Sequence, residues 1–150
     1  YEEYLRDYAN LMGVRLLFAS DIMDYHRGQT PDGRKVFSLA DVYQQADLVT
    51  YPSTVEGFGN AFLETIYYRR PIVMSTYAIY RIDIQPKGFK VIAFDDIINE
   101  DTVRQAQAVL RDPALAREMA DHNYELGRRY YSYRTLRNRL VDLLGELGAC

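Results

Sequence analysis

One stretch constrains this chain more than any other. An apolar run, Leu48-Val49-Thr50-Tyr51-Pro52, leads into Thr54-Val55-Glu56-Gly57-Phe58-Gly59-Asn60 and then into residues of helical composition from Ala61 to Tyr68. That order predicts a strand, a tight glycine-bearing loop and a helix. In an open parallel sheet such a loop lies at the carboxyl end of the strand, where ligands bind. Two glycines around Phe58 let the backbone approach a ligand closely or adopt positive φ. The unpaired N–H groups of the first helical turn point outward, and the helix dipole favours an anion there. Glu56 sits in the loop and Glu64 on the helix, with a run of backbone donors between them. Carboxylates accept from sugar hydroxyls and amides donate to anionic oxygens, so the pattern suits a polyhydroxyl ligand that carries phosphate.

The rest of the chain reads as alternating helices and strands, which argues for a parallel α/β sheet. Tyr1 to Met12 predicts a helix, with Tyr4, Leu5, Tyr8, Leu11 and Met12 on one stripe and Gly13 as its stop. Val14-Arg15-Leu16-Leu17-Phe18 has the composition of a buried strand, with Ser20-Asp21-Ile22-Met23 at its carboxyl end. Gln29 to Arg34 is a turn-rich insert expected at the surface. Ser38 and Asp41 have the spacing of a reciprocal helix cap, opening a helix to about Ala46. After the central stretch come a strand at Ile72 to Ser75, an aperiodic segment from Thr76 to Gln85, a turn at Pro86-Lys87-Gly88 and a strand at Val91 to Phe94. Asp101 or Thr102 would cap a helix ending near Arg111, and Asp112-Pro113 reads as N-cap and first residue of the next, to about Tyr130. A last amphipathic helix, Thr135 to Leu147, aligns Leu136, Leu140, Leu143, Leu144 and Leu147.

The segment Glu56-Gly57-Phe58-Gly59-Asn60-Ala61-Phe62-Leu63-Glu64 resembles the Glu-x7-Glu motif of retaining glycosyltransferases of family four, the glycosyl transferases group 1. The lead-in Ala46-Asp47-Leu48-Val49-Thr50-Tyr51-Pro52-Ser53 and the following Pro71-Ile72-Val73-Met74 are similar to the segments that flank that motif. The close match covers about Gln44 to Ser75. The resemblance implies an α/β fold with a Rossmann-like parallel sheet flanked by helices, namely part of the C-terminal, donor-binding domain of a GT-B enzyme. It implies a fragment lacking the first strand or strands of that domain, the N-terminal acceptor domain, and the Arg and Lys that clamp the donor diphosphate, which would lie upstream of Tyr1. The full-length protein would transfer a hexose from an NDP-sugar to an acceptor, and the isolated chain would be inactive.

The resemblance also distributes roles. Glu56, the catalytic candidate, would face the donor sugar, accepting from hydroxyls away from the reacting carbon. Gly57, Phe58, Gly59, Asn60 and Ala61 would offer backbone N–H groups to sugar and phosphate, with the Phe58 ring packing. Glu64 would bind the ribose hydroxyls. Ser20, Asp21, Ile22 and Met23 would border the nucleobase. Arg81 and Lys87 reach phosphate only if their loop folds inward. The paired acids would bind donor hydroxyls, unlike the acid and nucleophile of a glycosidase. No cofactor or metal is implied beyond the donor, because cationic side chains and the helix N-terminus neutralise the leaving diphosphate. His26 and His122 have no Cys, His or Asp partners at metal-ligand spacing.

Two departures stand out. Tyr68-Arg69-Arg70-Pro71 lacks the glycine usual in Ala-x-Gly-x-Pro, and Thr76-Tyr77-Ala78-Ile79-Tyr80 replaces a glycine-rich turn that leads to a glutamate. The role of the loop from Tyr77 to Gln85 is therefore open. So are two rival readings: another GT-B protein, such as an NDP-sugar epimerase or a phosphorylase, and a non-catalytic nucleotide-binding module. A phosphorylase would need a lysine-bound pyridoxal phosphate, for which no lysine here is convincingly placed.

Composition narrows the partners. A net charge of −3 and the absence of a basic run give no pull toward nucleic acid. The single cysteine, Cys150, permits no internal disulfide, in keeping with a reducing compartment. No apolar stretch nears the roughly 20 residues that cross a bilayer. We expect a cytoplasmic protein, with peripheral membrane association open for the full-length form. Donor base, sugar, acceptor and oligomeric state are not legible. Fourteen tyrosines without a tryptophan have no functional explanation at this level.

Overall fold

The computed structural model describes residues 1–147. Cys150 lies outside the described residues, as does the side chain of Leu147. The chain divides into two compact units, residues 1–42 and the remainder from Tyr43.

In the first unit, α1 (Glu2–Leu11) ends where Gly13 turns left-handed at φ 66°. Of its side chains only Ala9 is buried; Tyr4, Tyr8 and Leu11 remain exposed. Residues 14–18 are not a strand. They join no ladder, and Val14 and Leu17 are 58% and 78% exposed. Their β-branched and leucine-rich composition fits a strand, but a strand exists only where a neighbour accepts its backbone hydrogen bonds. Ser20–Ile22 form a 3₁₀ turn that runs into β1 (Met23–Asp24). The turn-rich insert is the tip of a hairpin: β2 (Gly28–Gln29) pairs antiparallel with β3 (Lys35–Ser38), and β1 pairs parallel with β3 on its other side. Ser38 and Asp41 form the reciprocal cap, with the Ser38 amide and hydroxyl donating to Asp41 at 2.9 and 2.8 Å. They open α2 (Leu39–Gln45), which runs across the division between the units.

The second unit is built on a parallel sheet of three strands in the order β4 (Val49–Tyr51), β5 (Ile72–Ser75), β6 (Ile92–Phe94). Val49 lies opposite Ile72, and Val73 opposite Ile92. Central β5 is buried at all four positions, as expected of a strand covered on both faces. Its alternation feeds two cores. Ile72 and Met74 join Phe62, Ile66, Tyr77, Tyr80, Ile84 and Phe89, whereas Val73 joins Ile92, Phe94 and Val109. Each such side chain stabilises the fold by about 1.5–3 kcal/mol.

Helix α3 (Asn60–Tyr67) links β4 to β5, and its buried Phe62, Thr65 and Ile66 face the first core. Between β5 and β6 a π-helical turn (Tyr80–Ile84) and a 3₁₀ turn (Gln85–Lys87) replace a full crossover helix. Then come α4 (Glu100–Arg111), α5 (Pro113–Tyr131) and α6 (Tyr133–Leu147). Asn99, rather than Asp101 or Thr102, caps α4 by accepting from the Thr102 amide. Asp112 caps α5 through the amides of Ala114 and Leu115, with Pro113 in the first turn. On α6 the stripe of Leu136, Leu140, Leu143 and Leu144 stays exposed. No helix among the described residues is long and apolar enough to cross a membrane.

Candidate functional site

Parallel strand β4 ends at Tyr51, and the chain then bends through residues 52–59 into α3 at the carboxyl edge of the sheet. Gly59 is the N-cap residue of α3, at φ 95° and ψ 77°. That left-handed geometry is ordinary for glycine and costly for other residues. No side chain caps the helix and its first turn carries no acidic residue; the Phe62 amide turns back to the Gly59 carbonyl at 3.0 Å, which leaves the amides of Asn60 and Ala61 to an external acceptor.

Glu56, Gly57, Phe58, Gly59, Asn60, Ala61 and Glu64 all belong to this bend and helix. Half-buried Glu56 accepts the Ser53 hydroxyl at 2.7 Å, and Ser75 at the end of β5 donates to the Ser53 carbonyl. The hydroxyls of Tyr51 and then Ser53 hold the Glu56 carboxyl below the usual carboxylate range. The Tyr51 phenol is pushed the other way, by burial first and then by Glu56. Glu64 Oε2 accepts from the Tyr43 hydroxyl at 3.1 Å. Burial pushes the Tyr43 phenol up to about 12, with the charge of Glu64 adding to it. The Phe58 ring packs edge-on against Tyr131, with ring centroids 5.0 Å apart.

Ser20, Asp21, Ile22 and Met23 belong to the first unit. Ser20 and Asp21 are exposed on the 3₁₀ turn, and Met23 pairs with Phe37 in the small sheet. Both cations of the segment after β5 have protein partners. Arg81 donates to Thr76 Oγ1 at 2.7 Å and to Asp95 Oδ1 at 2.9 Å, and Lys87 pairs with Asp83 at 2.7 Å. His122 sits 2.8 Å from the Gly88 carbonyl oxygen.

Sequence reasoning missed the tyrosines that brace this region. Tyr43 reaches Glu64, Tyr77 donates to the Phe58 carbonyl at 2.7 Å, and Tyr131 donates to Asp83 at 3.0 Å. These are contacts between residues 19 to 48 positions apart, to which local patterns are blind. The one available signal was the tyrosine excess itself. A buried ring with a polar tip suits places where a core meets backbone polar groups.

The family model described as "Glycosyl transferases group 1" matches residues 30–112. A mannosylglucosylglycerate synthase from Thermotoga maritima is 35% identical over 162 aligned residues, covering 97% of this chain and 35% of that protein. A second, from Petrotoga mobilis, is 44% identical over 93 residues, covering 62% of this chain and 21% of that protein. The chain thus spans about a third or less of these relatives' lengths. No solved structure matches it. With the family model covering more than half of the chain and taking in the strand, glycine bend and helix described above, the chain belongs to the group 1 glycosyl transferases.

Proposed function

We propose that this chain is the nucleotide-sugar-binding part of a retaining glycosyltransferase whose full-length form transfers a hexose from an NDP-sugar to an acceptor hydroxyl. The reading is carried by the bend between β4 and α3, with an uncapped helix start placed between two anchored carboxylates. Amides of Gly57 to Ala61 donate to the anionic oxygens of the diphosphate. Their fixed dipoles stabilise the charge that builds on the leaving group as the glycosidic bond breaks. Glu56 accepts from hydroxyls of the transferred sugar, and Glu64 from those of the ribose. No metal or cofactor is required, the remaining cationic charge coming from parts of the full-length protein outside this chain.

The names of the relatives sharpen the substrate. A mannosyl donor and a glucosylglycerate acceptor are the first pair to assay. The full-length protein is incubated with UDP-, GDP- and ADP-mannose in turn and glucosylglycerate, and the product is followed by mass and by the NMR signature of its anomeric carbon. A mannosylated product with the donor's anomeric configuration supports the reading. An inverted product removes the retaining mechanism, and failure to bind any sugar nucleotide removes the donor site. The isolated chain is expected to give no transfer, so turnover by it would show that the acceptor machinery lies within these 150 residues.

A further inference from the structure

Tyr77 is the second residue after β5 and lies in the segment whose role the sequence leaves open. It is 2% exposed. Its ring meets Tyr51 edge-on, with centroids 6.3 Å apart, and sits beside Tyr80 in the same core. Its hydroxyl donates at 2.7 Å to the carbonyl of Phe58, between the two glycines of the bend. The contact is so close that a Cβ added at Gly59 would collide with the Tyr77 hydroxyl and lie only 3.3 Å from the Tyr51 ring. Glycine at this position therefore does two things: it supplies φ 95°, and it makes room for the phenol.

The peptide between Phe58 and Gly59 is trans, no cis peptide bond occurring among the described residues. In a trans peptide the carbonyl and the following N–H point in opposite directions. Drawing the Phe58 carbonyl toward Tyr77 thus turns the Gly59 N–H away from the aromatic core. Resting on the reading above, we propose that Tyr77 is a positioning residue: by holding the Phe58 carbonyl, its hydroxyl aims the Gly59 amide at the diphosphate of the donor. A tyrosine rooted in the core here does the work of a rigid prop, since its ring is immobilised by Tyr51 and Tyr80 and only its tip reaches the bend.

The test uses the full-length protein and compares wild type with Tyr77→Phe, titrating UDP, GDP and ADP and the matching nucleosides by calorimetry. Loss of the prop is expected to weaken the diphosphate that wild type binds by roughly five- to tenfold, the scale of one hydrogen bond. Affinity for the nucleoside should stay within twofold. Tyr80→Phe, another buried tyrosine of the same core, is expected to change neither. Equal weakening of nucleoside and diphosphate, or no change in either, overturns the positioning role while leaving the donor site standing. Wild type that binds none of the diphosphates sinks the donor reading itself. A measurement on wild type alone covers the case in which Tyr77→Phe does not fold: with glycine-selective ¹⁵N labelling, the Gly59 amide resonance is expected to shift downfield on adding the diphosphate and not on adding the nucleoside. A Gly59 signal that stays still at saturation overturns the proposal.

Discussion

The Tyr43 hydroxyl and the Glu64 carboxylate are joined by a 3.1 Å hydrogen bond, which commits one carboxylate oxygen, Oε2, to the protein. Because burial keeps the Tyr43 phenol neutral up to about 12, it is a permanent donor at physiological pH. The rotamer of Glu64 is thereby set before any ligand arrives. On the donor-site reading, Glu64→Ala should reduce nucleotide affinity of the full-length protein more than tenfold, since two ribose hydroxyls lose a charged acceptor. Tyr43→Phe should cost only about two- to fivefold, because the acceptor remains and merely loses its orientation. Calorimetry with the nucleoside is the direct check, and unchanged affinity in Glu64→Ala removes the ribose assignment.

Glu56 gives an acid-side dependence. Its folded carboxyl is held below the ordinary value by the Tyr51 and Ser53 hydroxyls, so the folded state binds a proton less readily than the unfolded chain. The stabilisation is therefore fully present above the unfolded pKa of about 4.3 and fades as the pH falls through the depressed folded value. In thermal melts, the difference between wild type and Glu56→Gln should be constant from pH 8 down to about 5 and shrink below that. A difference that grows on acidification would mean that the carboxylate is strained rather than stabilised.

Asn123 is fully buried on α5 and grips one residue by both ends of its backbone: its side-chain oxygen accepts from the Lys90 amide at 2.8 Å, and its side-chain nitrogen donates to the Lys90 carbonyl at 2.6 Å. This ties α5 to the entry of β6. Asn123→Ala removes both bonds and is expected to destabilise the protein by about 2–4 kcal/mol. Asn123→Asp keeps the acceptor but sets a buried carboxylate oxygen against the Lys90 carbonyl, and should be at least as destabilised as the alanine variant. Denaturant midpoints order the three proteins, and an alanine variant as stable as wild type would contradict the clamp.

These contacts mark where the sequence stopped being legible. Signals confined to a few residues read well: the Ser38–Asp41 cap, the Asp112-Pro113 helix start, and β5 with its boundaries from Ile72 to Ser75. The strand, glycine bend and helix of the candidate site read well too, because hydrophobic runs and glycines are local. What failed depended on distant partners. Residues 14–18 have strand composition but no ladder, and the strands of two and four residues that flank the correctly read turn at 30–34 are too short to show a period of their own. The braces from Tyr43 and Tyr77 close loops of about twenty residues, which no periodicity encodes.

Among the described residues Arg69 is the non-glycine residue with positive φ, at 52°, and it lies in the Tyr68-Arg69-Arg70-Pro71 segment where the resemblance leads one to expect a glycine. The left-handed backbone costs an arginine about 1–2 kcal/mol. Two contacts offset this: an ion pair with Asp121 and a guanidinium 3.9 Å over the Tyr124 ring. At so exposed a site each of these contributes only weakly. Arg69→Gly therefore trades strain for contacts and should leave stability within about 1 kcal/mol of wild type. Arg69→Val keeps the strain, worsens it by β-branching and loses both contacts, so it should be less stable by roughly 2 kcal/mol or more. Equal stability of the two variants would argue against a left-handed backbone at residue 69.

Two helical glycines separate packing from propensity. Alanine in place of glycine in a helix gains about 0.5–1 kcal/mol when nothing else changes. At Gly145 on α6 a Cβ would meet nothing within 4 Å, so Gly145→Ala should show that gain. At Gly127 on α5 the Cβ would lie 2.8 Å from Cγ2 of Ile66, a buried residue of α3 whose branched side chain is locked in the core. Overpacking of this kind costs about 1–3 kcal/mol, which exceeds the helical gain. Gly127→Ala should therefore destabilise by about 1 kcal/mol, in the opposite direction to the same change at Gly145. Because α3 begins at the glycine bend, any shift of α3 that relieves the clash also moves the helix start that the site depends on. Gly127→Ala is accordingly expected to weaken nucleotide binding as well as stability, and Gly145→Ala to leave binding untouched. Should Gly127→Ala raise the unfolding midpoint as much as Gly145→Ala does, the close approach of α3 and α5 described here is wrong.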